Sequence, residues 1–148
     1  VVLALFHVAS YQSSNDDIQS FIKNAAKHLK KGGVFIFDYW YGPGVLTDPP
    51  AVRVKRLEII GGEITRIAEP ELLVEECCVN VCYDIRILET ASMKEKRLYE
   101  EHKMRYFFKP ELEMLCESAG LQVLQSASWM DAKPLNSGTW NAYSVAVK

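Results

Sequence analysis

His28-Leu29-Lys30-Lys31-Gly32-Gly33-Val34-Phe35-Ile36-Phe37-Asp38 is the stretch that decides the fold. Its first half is a helix end: Lys27, His28, Lys30 and Lys31 crowd the last turn, where the helix dipole favours cations, and Gly32-Gly33 stops it. Its second half, Val34 to Phe37, is an unbroken apolar run of strand length, the pattern of a strand covered on both faces. Upstream, Ile18, Phe21, Ile22, Ala25, Ala26 and Leu29 recur at helical spacing and predict one apolar face. Ser14-Asn15-Asp16-Asp17 opens that helix as a variant capping box with Asp in place of Glu. Further upstream the chain starts Val1-Val2-Leu3-Ala4-Leu5-Phe6, a second continuous apolar run that ends at His7. Strand, amphipathic helix, strand predicts a βαβ unit with parallel strands and a right-handed crossover. The opening run has no Met, no charged segment and no cleavage site before it, so it is expected to lie inside a fold, as a strand buried on both faces.

Downstream the period changes. Residues 45 to 51 contain Asp48-Pro49-Pro50 and read as loop, and Gly42-Pro43-Gly44 follows a strand without opening a helix. From Val52 to Phe108 apolar residues alternate with polar ones. Gly61-Gly62 marks a hairpin, and Ala91-Ser92-Met93-Lys94 a second turn. Cys77, Val79, Val81, Tyr83, Ile85 and Ile87 share one face of a long strand; Glu76, Asn80, Asp84 and Arg86 share the other. The expectation is an antiparallel sheet of about four strands, packed on one face and wet on the other. Pro110 then begins a helix with Leu112, Leu115, Cys116 and Ala119 as its buried stripe and Gly120 as its stop. Leu121 to Ser128 and Trp140 to Val147 read as an antiparallel strand pair at a sheet edge, joined by a loop from Trp129 to Gly138.

Composition narrows the class. With 148 residues, 49% apolar and 24% charged, the chain is one domain's worth of ordinary globular protein. Seventeen Lys and Arg against nineteen Asp and Glu leave a net charge of −2, so no basic excess drives binding to nucleic acid or an anionic membrane. No apolar run reaches the ~18 residues of a membrane span. Cys77, Cys78, Cys82 and Cys116 lack the spacing of a zinc site or a disulfide framework. On a strand, Cys78 and Cys82 would stand about 13 Å apart, too far to share an ion. They read as reduced thiols of a cytoplasmic protein, and no metal is expected.

Three segments together resemble the C-terminal half of a class I S-adenosylmethionine-dependent methyltransferase. Leu5-Phe6-His7-Val8-Ala9-Ser10-Tyr11 is similar to the family's fourth strand and the loop after it. His28 to Asp38 is similar to its "L-K-x-G-G" turn into the fifth strand. Phe107-Phe108-Lys109-Pro110-Glu111-Leu112 with Ala119-Gly120-Leu121 is similar to the segment that leads to the sixth. The resemblance implies an α/β fold: a partial Rossmann-like methyltransferase sheet, with parallel strands and an antiparallel terminal strand pair. Residues 52–108 would be an antiparallel β insert, similar to that of small-molecule and sugar-nucleotide N-methyltransferases, where it shapes the acceptor site and often a dimer interface. The family's glycine-rich turn and its ribose-binding acidic residue have no counterpart here. The implied function is therefore the C-terminal portion of a methyltransferase acting on a small-molecule acceptor, with S-adenosylmethionine bound in the intact parent protein and not by this chain alone. The alternative is a non-catalytic binding or dimerisation domain derived from the same fold. In the family's sheet order the Val1–Phe6 strand would lose a neighbour, so self-association or a homodimer, by that edge or through the insert, is expected.

Ligands of open α/β sheets sit beyond the carboxyl ends of the strands. Those ends are Phe6, His7, Val8 and Tyr11 for the first strand, and Asp38, Tyr39, Trp40 and Tyr41 for the second. Phe6, His7 and Val8 are the cofactor candidates. His7 reads either as a general base or as a histidine that hydrogen-bonds at a strand end. Tyr11, Asp38, Trp40 and Tyr41 are the substrate candidates. Asp38 either orients an acceptor or caps the following loop, and the aromatic residues form either a wall or core. Arg105 either grips an acceptor phosphate or carboxylate or is salt-bridged.

Overall fold

The computed structural model describes all residues from Val1 to Lys148. Strand β1 (Val2–Ala4) leads through a short turn at Ala9–Tyr11 to helix α1 (Asn15–His28) and then β2 (Val34–Tyr41). The helix start is as its sequence dictates. Ser14 Oγ accepts from the Asp17 N–H at 3.1 Å and donates to the Asp17 carboxylate at 2.6 Å. Ile18, Ile22, Ala25 and Ala26 of α1 are buried against alternate residues of β2, namely Phe35, Phe37 and Tyr39. The Phe35 and Phe37 rings stack at 4.7 Å, and Tyr39 meets the edge of Phe107 at 6.2 Å. This aromatic column is the main core.

The chain continues as α2 (Gly42–Thr47), then four antiparallel strands β3 (Arg53–Ile59), β4 (Gly62–Leu73), β5 (Cys78–Glu89) and β6 (Lys94–Phe107). Helix α3 (Lys109–Ser118), β7 (Gln122–Ser128) and β8 (Asn141–Val147) complete it. All eight strands join one sheet, with β2 as its hub. One edge of β2 pairs antiparallel with β8. The other edge is shared, since β1 runs parallel beside Phe35–Phe37 and β6 runs parallel beside Trp40–Tyr41. The antiparallel layer is thereby welded to the C-terminal end of β2, where a ligand is expected.

Two expectations are corrected. The first strand is three residues long and is not buried on both faces. Only β2 flanks it, and while Val2 and Ala4 pack on the core, Leu3 is 59% and Phe6 86% exposed. The second correction is α2, because Gly42-Pro43-Gly44 does open a short helix. Pro43 occupies its first turn, where a missing N–H leaves nothing unpaired. Gly44 permits the turn to touch the loop before β8, since an added Cβ would lie 1.9 Å from the Thr139 carbonyl oxygen. Gly44→Ala should gain about 1 kcal/mol of helix propensity but lose up to about 3 kcal/mol to overpacking against backbone. Denaturant unfolding is expected to show the net loss.

The antiparallel layer is packed on one face only near its root. Val79 and Val81 form a small second core with Val45 and Tyr106. Further out, the same face carries Tyr83 and Ile85 and lines cavities. On the opposite face Arg86 and Arg97 stand directly across from one another, bridged by Asp84. Asp84 accepts from Arg97 at 2.7 Å and from Arg86 at 2.8 Å. Hydrogen bonds from Arg97 and then Arg86 hold its carboxyl well below the usual carboxylate range. A lowered folded-state value stabilises the protein above the unfolded value, about 3.9, and that contribution is lost as pH falls toward the folded value. Asp84→Asn is expected to flatten this acid limb in a stability–pH series.

Candidate active site

The site begins with a backbone anomaly. Phe6 and His7 are consecutive residues in the left-handed region, with φ of 64° and 62°, a conformation rare for residues other than glycine. Such residues persist where their surroundings hold them. Here the Ser10 N–H donates to the His7 carbonyl at 2.9 Å, and the His7 N–H donates to Asp38 Oδ1 at 3.0 Å. The His7 ring is held as well, with Nε2 3.1 Å from Asn141 Oδ1 and 3.7 Å from Asp38 Oδ2. Asp38, on β2, is 1% exposed. One buried carboxylate thus fixes both the backbone and the ring of His7, and Asn141, at the start of β8, is the second support.

Strand alternation sorts the β2 end. Asp38 and Trp40 project to the side of His7, whereas Tyr39 and Tyr41 join the core. Burial pushes the Tyr39 hydroxyl up to about 12, and it contacts Ser144 Oγ at 3.0 Å. Tyr41, named above as a substrate candidate, is therefore a packing residue. Trp40 meets His7 edge-on at 6.2 Å and Trp140 at 5.1 Å. Its N–H donates to Ser10 Oγ at 3.0 Å, and Trp140 Nε1 donates to the Asp48 carbonyl at 2.9 Å.

Trp40, Trp140 and Asn141 form one wall of a cavity of about 610 Å³, and Arg53, Arg66 and Tyr83 of the antiparallel layer form another. His7 touches two of these wall residues, Trp40 and Asn141. A neighbouring cavity of about 220 Å³ shares Arg66 and Tyr83 and adds Tyr11 and His102. The Tyr11 hydroxyl is 2.8 Å from His102 Nδ1, and the His102 ring lies edge-on to Tyr83 at 5.2 Å. Burial, then Tyr83 and Glu100, raise the Tyr11 hydroxyl above its ordinary value.

The remaining candidates go elsewhere. Phe6 and Val8 line a separate apolar groove of about 590 Å³ along β1, with Val2, Leu5 and Phe21. Arg105 lines neither site cavity. Its guanidinium donates to Asn15 at 2.9 Å and to Glu111 at 2.5 Å and lies 5.2 Å from the Phe107 ring. It ties α1 to α3, the salt-bridged reading. Asn141, Trp140, Tyr83, His102, Arg53 and Arg66 are site residues that sequence reading did not find. Asn141 is 134 residues from His7, and no local spacing announces it.

No protein-family model matches the sequence, and no curated protein sequence matches it. Solved structures do match. An S-adenosylmethionine-dependent methyltransferase from Clostridium acetobutylicum superposes at TM-score 0.75 and 20% identity, over 98% of this chain and 56% of its own. A sugar N-methyltransferase from Streptoalloteichus sp. does so at 0.79 and 16%, over 99% and 55%. An amino pentose methyltransferase of calicheamicin biosynthesis from Micromonospora echinaspora does so at 0.74 and 13%, over 99% and 56%. The chain spans a little over half the length of each of them. At these identities the likeness is one of fold: the chain is built as part of an S-adenosylmethionine-dependent methyltransferase fold.

Proposed function

We propose that the chain forms the acceptor-binding side of an S-adenosylmethionine-dependent methyltransferase that acts on a small molecule, within a longer protein. The observation that carries the reading is the Asp38–His7–Asn141 constellation, which adjoins an aromatic-walled cavity through two of its wall residues, Asn141 and Trp40. Its Nε2 faces two oxygens, from Asn141 and Asp38, so the network assigns the ring proton to Nε2 and leaves Nδ1 as the basic atom. His7 takes the proton of the acceptor nucleophile, and the buried Asp38 carboxylate stabilises the imidazolium that results. Asp38 and Asn141 are positioning residues. Trp40 and Tyr11 contact the acceptor, while Tyr41 and Arg105 take no part.

In this class of enzyme S-adenosylmethionine supplies a methyl group on a sulfonium. The residues present do not fit it. Gly42 and Gly44, the glycines that follow β2, are closed by protein: an added Cβ would lie 2.7 Å from the Phe108 ring at Gly42 and 1.9 Å from the Thr139 carbonyl at Gly44. We assign the donor pocket to segments outside this chain, seated along the free edge of β1 and its apolar groove. In the isolated chain that edge, or the in-register apolar row Leu57, Ile64 and Ile87 of the insert, of which Leu57 is exposed, drives self-association. A sedimentation run showing only monomer at high concentration would count against this. The unpaired cysteines support a reducing, cytoplasmic setting. No helix is long and apolar enough to cross a membrane.

The functional test is transfer of a labelled methyl group by the longer protein to a panel of small amines and alcohols. Label in small-molecule products is expected; label found only on protein or nucleic acid would refute the reading.

A further inference from the structure

The turn that follows His7 ends at Tyr11, whose hydroxyl lies 2.8 Å from Nδ1 of His102, 91 residues on in β6. The His102 ring stands edge-on to two other rings, Tyr11 at 5.8 Å and Tyr83 at 5.2 Å, and those contacts orient it. Its other nitrogen, Nε2, faces the Glu100 carboxylate at 3.3 Å. A carboxylate only accepts, so the network assigns the proton of the neutral ring to Nε2 and leaves Nδ1 as a lone pair. The Tyr11 O–H therefore donates to Nδ1, and its one proton is spent. Burial, then Tyr83 and Glu100, raise the Tyr11 hydroxyl above its ordinary value, so it stays neutral with that proton to place. No second hydrogen bond of the chain ends on this hydroxyl, although Tyr11 lines the cavity of about 220 Å³ with Arg66 and Tyr83.

We propose that Tyr11 reads hydrogen-bond polarity in the acceptor molecule. With His102 neutral the Tyr11 oxygen can only accept, so a molecule that presents an N–H or O–H there is selected over one that presents a bare oxygen. Tyr11 is the specificity-determining residue, and His102, held by Glu100, is the residue that positions its proton. The same network inverts when His102 takes a second proton. Nδ1 then donates to the Tyr11 oxygen, and the Tyr11 O–H is released toward the cavity as a donor. The titratable and charged groups around the ring are Tyr11 from the turn, Glu100 from its own strand, Tyr83 from β5 and Arg66 from β4. Glu100 favours the second proton and Arg66 opposes it. The inference rests on the acceptor reading of the cavity and deepens it to the polarity of the group that meets Tyr11.

The ring signals of His102 in the NMR spectrum report on the cavity and on the charge of the ring. The chain is titrated with phenol, which donates a hydrogen bond, acetophenone, which only accepts one, and toluene, which does neither. Titrations are run at both ends of the interval from about pH 8 to pH 5, the span in which histidine changes charge. With the ring neutral, Tyr11→Phe should weaken phenol about fivefold, the worth of one neutral hydrogen bond, and leave acetophenone unchanged. With the ring protonated the loss should pass to acetophenone and spare phenol. Toluene should be unaffected throughout. Because each loss is read against the same probe in the unsubstituted chain, any contact with Arg66 cancels. The unsubstituted chain gives a second measurement that needs no variant: its preference for phenol over acetophenone should fall about tenfold or more as the ring protonates. His102→Phe keeps a ring between Tyr11 and Tyr83 but frees the Tyr11 proton, and the preference should then cease to depend on pH. A Tyr11→Phe loss that is equal for phenol and acetophenone, or a preference that ignores the charge of His102, overturns the proposal while the cavity stands. His102 signals unmoved by all three probes overturn the proposal together with the acceptor reading.

Discussion

His7→Gln in the longer protein is expected to lower kcat by about 10²- to 10⁴-fold, the range of a positioned general base, with KM little changed. Glutamine retains a polar group at the position, so the Asn141 contact has a replacement while the basic nitrogen is lost. Asp38→Asn should produce a smaller fall, again in kcat. Its amide oxygen still accepts from the His7 N–H, now 3.0 Å from Asp38 Oδ1, but its charge no longer faces the ring. If kcat is unchanged in both variants, His7 is a structural histidine and the two left-handed residues serve the turn alone. Tyr41→Phe is the control, and because Tyr41 packs on the core, activity should persist.

Arg105→Ala is expected to destabilise the chain by about 3 kcal/mol, the lower end for breaking a buried ion pair. The lower end applies because Glu111 retains 24% of its side-chain exposure, while Arg105 has 11%. The loss leaves Glu111, which also reaches the Phe108 N–H at the start of α3, without its cation, and leaves the Asn15 side chain without its donor. Replacing both partners by apolar residues, Arg105→Met with Glu111→Leu, should recover much of the loss. Affinity for acceptor-like probes should not change. A binding defect without a stability defect would return Arg105 to the site.

The βαβ unit was legible because each of its signals is local. The Ser14 cap, the α1 stripe and the Gly32-Gly33 turn into β2 lie close together in sequence, although α1 ends at His28, ahead of the expected glycine stop, so that Lys30 and Lys31 lie beyond its last turn. The hairpins of the insert were legible for the same reason, through Gly61-Gly62 and strict alternation. What sequence could not show was burial that depends on a neighbour. The apolar run Val1–Phe6 reads as covered on both faces, whereas within this chain it pairs with β2 alone, as the expected loss of a neighbour implies, and Leu3 is left exposed. Helix α2 was missed because its glycines read as breakers, whereas Gly42 and Gly44 answer to Phe108 and Thr139, contacts made across the chain. The site divides in the same way. His7, Asp38 and Trp40 sit at strand ends and were found by that rule. Asn141, Tyr83, Arg53 and Arg66 reach the cavity through the sheet register, which no spacing encodes. Tyr39-Trp40-Tyr41 looked like one aromatic wall, but strand alternation turns only Trp40 toward His7.

The central claim is that this chain supplies the acceptor side of the site and does not by itself hold the methyl donor. Calorimetric titration of the 148-residue chain with S-adenosylmethionine tests it most directly. No saturable heat is predicted. A micromolar dissociation constant, about −8 kcal/mol of binding free energy, would contradict the claim and place the donor pocket among these residues.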